Sequence, residues 1–270
     1  MNLDLPNTNK PVVSIFSGGL DSTILTYALV NKYGKDNVVA LIYDYNQKHK
    51  IELDKAMTTI RKLGIKYKLL DISFLGDINK DFSSLAGDVE SNNNSSMPST
   101  YIANRNSILI NIAVSFAETI NAEFVFYGAQ SHDVAGYWDC SQQFVNSLNN
   151  TFILNKEHTI QVIAPFMNYW KKDEILLGRE LGVPFNDTWT CYNPQDGKPC
   201  NECGSCIERA LAFIEAGVKD AFGGNFAKIE TKDEKVLQVL AFLRQREIVH
   251  FDKFKELLDH YIKLGYKHKK

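Results

Sequence analysis

The sequence predicts an α/β protein whose core is a doubly wound, five-stranded parallel sheet, followed by a cysteine-bearing segment and a helical hairpin. Three observations predict it. Short continuous apolar runs recur between residues 12 and 164, and segments with helical spacing separate them. Runs that are apolar throughout belong to strands covered by helices on both faces, as in a parallel sheet. Beyond Gly224 the pattern becomes purely helical.

The elements follow in order. Val12-Val13-Ser14-Ile15-Phe16 is the first strand, and residues 21–33 form the helix after it. Residues 38–43 and 67–72 are the next strands, separated by a helix over 51–63. Helix 105–120 leads to strand 124–127, helix 139–148 to strand 160–164, and helix 172–181 follows. Between 73 and 100 lies a polar stretch with Gly87, a serine–asparagine run over 91–96 and Pro98, too long for an ordinary connection. It reads as a lid over the site or as a disordered segment. Near the C-terminus Thr231 and Glu234 make a capping-box pair, and Val236, Leu237, Leu240 and Leu243 share one face. Phe254, Leu257, Leu258 and Tyr261 repeat that pattern before Gly265 stops it. Residues 1–220 therefore read as one domain that includes a cysteine segment at 190–207, and residues 225–270 as a helical extension.

Composition limits the function classes. The 270 residues are 44% hydrophobic and 23% charged, with 30 Lys and Arg against 32 Asp and Glu, a formal net charge of −2. Such a balance argues against broad electrostatic capture of nucleic acid, which needs a basic surface to displace counterions. No apolar run approaches the roughly 18–20 residues that span a bilayer. The first residues, with Asp4 among them, lack the basic-then-apolar layout of a secretion signal. A cytoplasmic protein without membrane contact is expected. In a parallel sheet, ligands bind at the carboxyl ends of the strands, so the loops there are where function is to be sought.

The loop after the first strand is Ser17-Gly18-Gly19-Leu20-Asp21-Ser22-Thr23. Two glycines permit positive φ and successive exposed N–H groups, an anion nest. The helix N-terminus beyond adds free N–H donors and partial positive charge. Ser17, Ser22 and Thr23 add hydroxyl donors. No lysine follows the second glycine, which separates the loop from those that hold the β and γ phosphates for γ-transfer. The bland alternative is a strand-to-helix turn capped by Asp21 or Ser22. Further on, Cys191, Cys200, Cys203 and Cys206 fall within sixteen positions. Four thiolates complete a closed tetrahedral zinc site. An iron–sulfur cluster is the rival, disfavoured by the upstream position of Cys191 and the lack of a C-x3-C-P continuation. Cys140 stands alone and reads as a small packing residue.

Ser-Gly-Gly-x-Asp-Ser after the first strand resembles the PP-loop ATP pyrophosphatases, which cleave ATP between the α and β phosphates. Within that group the sequence is similar to the 7-cyano-7-deazaguanine synthase (QueC) family of queuosine biosynthesis. The likeness is carried by Asp44-Tyr45-Asn46-Gln47-Lys48-His49 with Glu52-Leu53, and by Tyr101-Ile102-Ala103-Asn104-Arg105-Asn106. Gly128, Asp133, Gly136-Tyr137 and Asp139-Cys140 extend it, as do Pro165 and the cysteine tail. The resemblance implies an ATP-dependent ligase that converts 7-carboxy-7-deazaguanine and ammonia to the nitrile through an acyl-adenylate and an amide. It implies ATP and Mg²⁺ at the loop, a structural Zn²⁺ and a homodimer. Asp21, Arg105 and Lys172 are then the catalytic candidates. Ser17, Gly18, Gly19, Asp21, Ser22 and Thr23 would bind ATP, and Tyr45, Gln47, Arg105, Asp133, Tyr137 and Asp139 the deazapurine acid. Asn46, Lys48, Ala103, Trp138 and Ser141 stand where the family has Gly, Arg, Pro, Pro and Arg. Two alternatives stand beside this reading, the first admitted by these departures and the second opposed by the intact Ser17–Thr23 loop. One is a paralogue joining a deazapurine carboxylate to another amine, including a protein, in a modification or defence pathway. The other is a non-catalytic zinc-bearing module that binds RNA or a protein through the C-terminal helices.

Overall fold

The computed structural model describes residues 3–47, 50–89, 99–130, 137–200 and 203–220. Five parallel strands form one sheet: β1 (Val12–Ile15), β2 (Val38–Asp44), β3 (Lys66–Asp71), β4 (Phe124–Phe126) and β5 (Gln161–Ile163), in the order β3-β2-β1-β4-β5. Each expected strand is present, within one or two residues of its expected ends. The helices are α1 (Leu20–Tyr33), α2 (Ile51–Leu63), α3 (Phe74–Asn79), α4 (Arg105–Thr119), α5 (Gln142–Phe152), α6 (Lys171–Glu180) and α7 (Gly204–Glu215).

Successive side chains of a strand point to opposite faces, and both faces here are apolar. Val12, Phe16, Ala40, Ile42, Phe124 and Phe126 pack with Ile24, Leu25 and Leu29 of α1, Ala56 and Ile60 of α2, and Ile175 of α6. Val13, Leu41, Tyr43 and Val125 pack on the other side with Ile110, Ala113 and Val114 of α4 and Phe144 and Val145 of α5. Strand connection reverses direction between β1 and β4, so a crevice opens at their carboxyl ends. That crevice is where the phosphate loop lies.

Three expectations change. Part of the polar stretch after β3 is ordered: α3 occupies Phe74–Asn79, where a loop was expected. Asn79 is buried there, and its amide donates to Leu75 O while its oxygen accepts from Ala103 N, both at 2.9 Å. The helix expected over 139–148 begins later, at Gln142, because a 3-10 turn occupies Trp138–Cys140 and Ser141 caps the helix. At the first helix the cap is Gly19, not Asp21 or Ser22, which leaves both side chains available to the site. The hairpin expected over 225–270 lies outside the described residues, as does 90–98 of the polar stretch. Among the described residues no helix is long and apolar enough to cross a membrane.

Candidate active site

The phosphate loop is held open by its own hydroxyls. Ser22 Oγ meets Ser17 Oγ at 3.1 Å and lies 3.3 Å from both the Ser17 N–H and the Gly19 carbonyl. Gly19 N donates to Ser17 Oγ at 3.2 Å. Gly18 takes φ +83°, and a Cβ there would lie 2.4 Å from the Glu52 carbonyl oxygen and 2.6 Å from Ala56 N. Glycine is required because the first turn of α2 packs directly on the loop. From the other side Trp189 N donates to Gly18 O at 3.0 Å. Thr23 departs from expectation: its hydroxyl is buried in the first turn of α1 and does not line the cavity.

A cavity of about 240 Å³ opens beside the loop. Ser17, Gly19, Asp21 and Ser22 form one wall, with Tyr45, Gln47 and Glu52 from the β2–α2 connection. Arg105 and Asn106 from the start of α4, with Tyr137 and Tyr192, complete the lining, and the Tyr45 hydroxyl is hydrogen-bonded to Arg105. The cavity thus brings together Ser17, Gly19, Asp21 and Ser22 of the expected loop residues with Tyr45, Gln47, Arg105 and Tyr137, while Gly18 and Thr23 do not line it. Gln47 is buried, and its Oε1 accepts from Tyr45 N at 3.1 Å, which fixes the bend after β2.

Asp139 and Lys172 are placed otherwise than expected. Asp139 is 2% exposed and lies behind the cavity wall. Its Oδ2 accepts from Asn106 N at 3.1 Å, at the positive end of α4. Burial raises its pKa, against the opposing pull of that N–H and of Arg105. Its role is to anchor the helix that carries Arg105. Lys172 is not among the lining residues; the neighbouring Lys171, 5% exposed, turns inward instead. Lys171 Nζ reaches Asp21 at 3.3 Å and Glu208 at 3.2 Å. With its amide oriented to satisfy both neighbours, Gln130 accepts from Lys171 at 2.7 Å and donates to Glu174 at 3.1 Å. Asp133 lies outside the described residues.

Electrostatics single out two cavity groups. Burial alone would lower the Arg105 pKa, but Tyr45, Tyr192, Tyr137 and Asp139 around it reverse this and hold the guanidinium firmly charged. Burial pushes the Glu52 carboxyl up to about 7, with Arg105 pulling it back only in part. Glu52 and Lys171 were missed as site residues. Glu52 sits inside a motif quoted only for its likeness, and a period of 3.6 residues does not say which of two adjacent lysines faces inward.

The four cysteines converge as their spacing predicts. Their sulfurs all lie within 4.8 Å of one another. Tetrahedral thiolate coordination at about 2.3 Å requires sulfur separations near 3.8 Å, and Cys191 and Cys200 are 3.5 Å apart. Backbone N–H groups of Cys200 and Asn193 point at Cys191 Sγ, at 3.3 and 3.4 Å, and that of Cys203 at Cys200 Sγ, at 3.3 Å. Hydrogen bonds from the Cys191 and Cys206 thiols lower the Cys203 pKa, favouring thiolate. The donor set can hold a metal ion. Arg209, 1% exposed, braces the segment: it grips Asp220 with two hydrogen bonds, at 2.7 and 3.0 Å, and donates to Thr188 and Thr190.

Four of the five departures from the family pattern have local structural explanations. Asn46 adopts φ +60°, a conformation asparagine shares with glycine. The Ala103 N–H makes the bond to Asn79 that proline lacks. Trp138 Nε1 donates to the Tyr101 hydroxyl at 2.9 Å, and Ser141 Oγ accepts from Phe144 N at 3.1 Å to cap α5. Lys48 lies outside the described residues.

Fold and site together define a nucleotide-binding α/β protein of the PP-loop type with a four-cysteine cluster. Residues 11–217 match the family model described as queuosine biosynthesis protein QueC. The chain belongs to that family. It is 37% identical over 217 residues to the 7-cyano-7-deazaguanine synthase of Marinomonas sp. (strain MWYL1), covering 78% of this chain and 97% of that protein. It is 38% identical over 216 residues to the synthase of the same name from Pseudoalteromonas atlantica (strain T6c / ATCC BAA-1087), with the same coverage of 78% and 97%. Among solved structures, the U34-tRNA thiolase NcsA from Methanococcus maripaludis with its [4Fe-4S] cluster superposes with a TM-score of 0.47 at 17% identity. That match covers 87% of this chain and 72% of the thiolase.

Proposed function

We propose that this protein is an ATP-dependent ligase that converts 7-carboxy-7-deazaguanine and ammonia to 7-cyano-7-deazaguanine. One observation carries the reading beyond family membership: the phosphate loop and the charged Arg105 line one and the same cavity. A carboxylate is a poor electrophile, and joining it to AMP supplies the leaving group. The reactants are both anions, so the site must offset negative charge where they meet. The loop N–H groups and the helix N-terminus cradle the phosphates. Arg105 receives the substrate carboxylate in a planar, two-point grip. Tyr45, Gln47 and Tyr137 line the space for the heterocycle.

Asp21 supports a cation at the phosphates: its Oδ1 is buried without a hydrogen-bond partner among the described residues. Mg²⁺ there would screen the phosphate charge, with Lys171 steadying the other Asp21 oxygen. Zn²⁺ fits the four thiolates and would clamp the segment behind the loop. The expected homodimer and a cytoplasmic location belong to the same reading.

The test is incubation with the acid, Mg-ATP and ammonium, followed by mass spectrometry and AMP measurement. Nitrile with about two AMP per product, one for each adenylation, is the expected result, and Asp21→Ala should abolish AMP release. AMP accompanied only by acyl-adenylate or amide would instead indicate a different acceptor amine. No acid-dependent AMP at all would overturn the reading.

A further inference from the structure

Among the described residues, the carboxylates that line the cavity are Asp21 and Glu52. Asp21 is engaged by Lys171. Glu52 stands in the first turn of α2, the turn so close to the phosphate loop that only glycine fits at position 18. Glu52 lines the cavity together with the loop residues and Arg105, and Arg105 is close enough to act on its carboxyl electrostatically. Arg105 marks where the substrate carboxylate is held, and the loop marks where the phosphates lie. The carbon joined to AMP therefore lies between them, with Glu52 alongside.

We propose that Glu52 is the general base that accepts the proton from the nitrogen nucleophile; this deepens the ligase reading and rests on it. When ammonia attacks the acyl-adenylate, the C–N bond forms and the nitrogen becomes positively charged. Glu52 takes one proton from it, the C–O bond to AMP breaks, and the amide results. In the second round the amide oxygen is adenylated with loss of pyrophosphate. Glu52 returns its proton to solvent between the rounds; nitrile then forms as the C–O bond to AMP breaks and nitrogen sheds its two remaining protons, one to Glu52 and one to water. The environment suits the task, since a base works best with a pKa near the working pH, and burial brings Glu52 to about 7. Among the described residues, the charged and titratable groups acting on it are Arg105 from α4 and Tyr45 after β2. Asp44, which also acts on Tyr45, is paired with Lys50 at 3.1 Å. On α2 itself the nearest lysine, Lys55, donates to the Asn186 carbonyl at 2.7 Å.

The experiment compares wild type, Glu52→Gln and Glu52→Asp in two assays. Acid-dependent exchange of pyrophosphate into ATP reads adenylation alone. Amide or hydroxamate formation, with ammonium or hydroxylamine as nucleophile, reads the transfer. The nitrogen of a hydroxylamine adduct is the more acidic and loses its proton to water unaided. In Glu52→Gln, transfer to ammonia relative to exchange should fall by about 10²–10⁴, the range for loss of a general base. Transfer to hydroxylamine should fall by no more than about tenfold, and Glu52→Asp should recover part of the ammonia reaction. With rates expressed per free ammonia rather than total ammonium, the acid limb of the wild-type reaction, with an apparent pKa near 7, should vanish in Glu52→Gln. Equal losses with both nucleophiles, or loss of exchange itself, would overturn the proton role and leave the ligase reading standing. Wild-type protein without acid-dependent exchange would remove that reading, and this proposal with it.

Discussion

At the scale of single residues, the site trades stability for charge. Glu52 is an ordinary carboxylic acid in the unfolded chain, with a reference pKa of 4.5, and burial raises it to about 7 in the fold. A native state that holds a proton more tightly than the unfolded state gains stability at low pH and loses it as pH rises. The loss begins near pH 4.5 and is complete above pH 7. Glu52→Gln removes the penalty without changing the shape of the side chain. Its melting temperature should match wild type near pH 4.5 and exceed it at pH 8. A rise from 4.5 to about 7 corresponds to about 3 kcal/mol, so the gain there should be roughly 6–12 °C, at about 2–4 °C per kcal/mol in a chain near this size. Thermal unfolding at the two pH values decides, and equal melting temperatures at pH 8 would contradict the buried, charged state assigned to Glu52. Arg105 is held charged by tyrosines and by Asp139, and Asp139 does its work from behind the wall. Residue type alone could not separate these roles, because an aspartate that reads a substrate and one that caps a helix look the same in sequence.

At the scale of elements, the decisive contact is α2 against the phosphate loop. Gly18 and Gly64 both adopt positive φ, at +83° and +63°. A Cβ on Gly64 meets nothing within 4 Å, whereas one on Gly18 strikes the backbone of Glu52 and Ala56. Both alanine variants pay the backbone strain, of order 1 kcal/mol, but Gly18→Ala must also push α2 away. Gly18→Ala should therefore lose more stability than Gly64→Ala in denaturant titrations, and it should lose pyrophosphate exchange, which Gly64→Ala keeps. Indistinguishable variants would show that the α2–loop contact is dispensable. The loop was legible from its glycines and the flanking strand and helix. Its partner helix was not, since the residues that meet are more than thirty positions apart in the chain.

At the scale of the whole molecule, the cysteine cluster and the phosphate loop are one unit. Trp189 bonds the loop backbone through its N–H, and its indole donates to the Cys191 carbonyl at 2.8 Å. Arg209 ties α7 to the same segment. Removing the metal with a chelator should therefore lower the melting temperature and abolish pyrophosphate exchange together, because binding and folding of such a segment are coupled. Elemental analysis should find one zinc per chain, released from Cys203→Ser but retained in Cys140→Ser. Iron with visible absorbance would reassign the cluster, and full exchange activity in metal-free protein would break the link between the two sites.

The sequence by itself determined the periodic and the compact. The inner strands β1, β2 and β4 were legible because a strand buried on both faces must be apolar throughout, whereas the edge strand β3, with Tyr67 and Leu69 exposed, carries only a mixed run. Ser17-Gly18-Gly19 and the four cysteines announced their chemistry because each works through neighbours close in the chain. Tertiary structure decided whatever depends on distant partners. Lys171 rather than Lys172 faces Asp21 because the phase of α6 is set by packing on α1, with the two residues 150 positions apart. Residues 74–79 of the long stretch are helical where Leu75 is buried in the core and buried Asn79 finds Ala103 across a long loop. Glu52 acquires a pKa near neutrality only when the fold buries its carboxyl beside the phosphate loop, and Arg105, brought there by the same fold, offsets part of that rise. Local pattern fixes an element because its cause lies within a few residues; a site's charge state is a property of what the fold gathers around it.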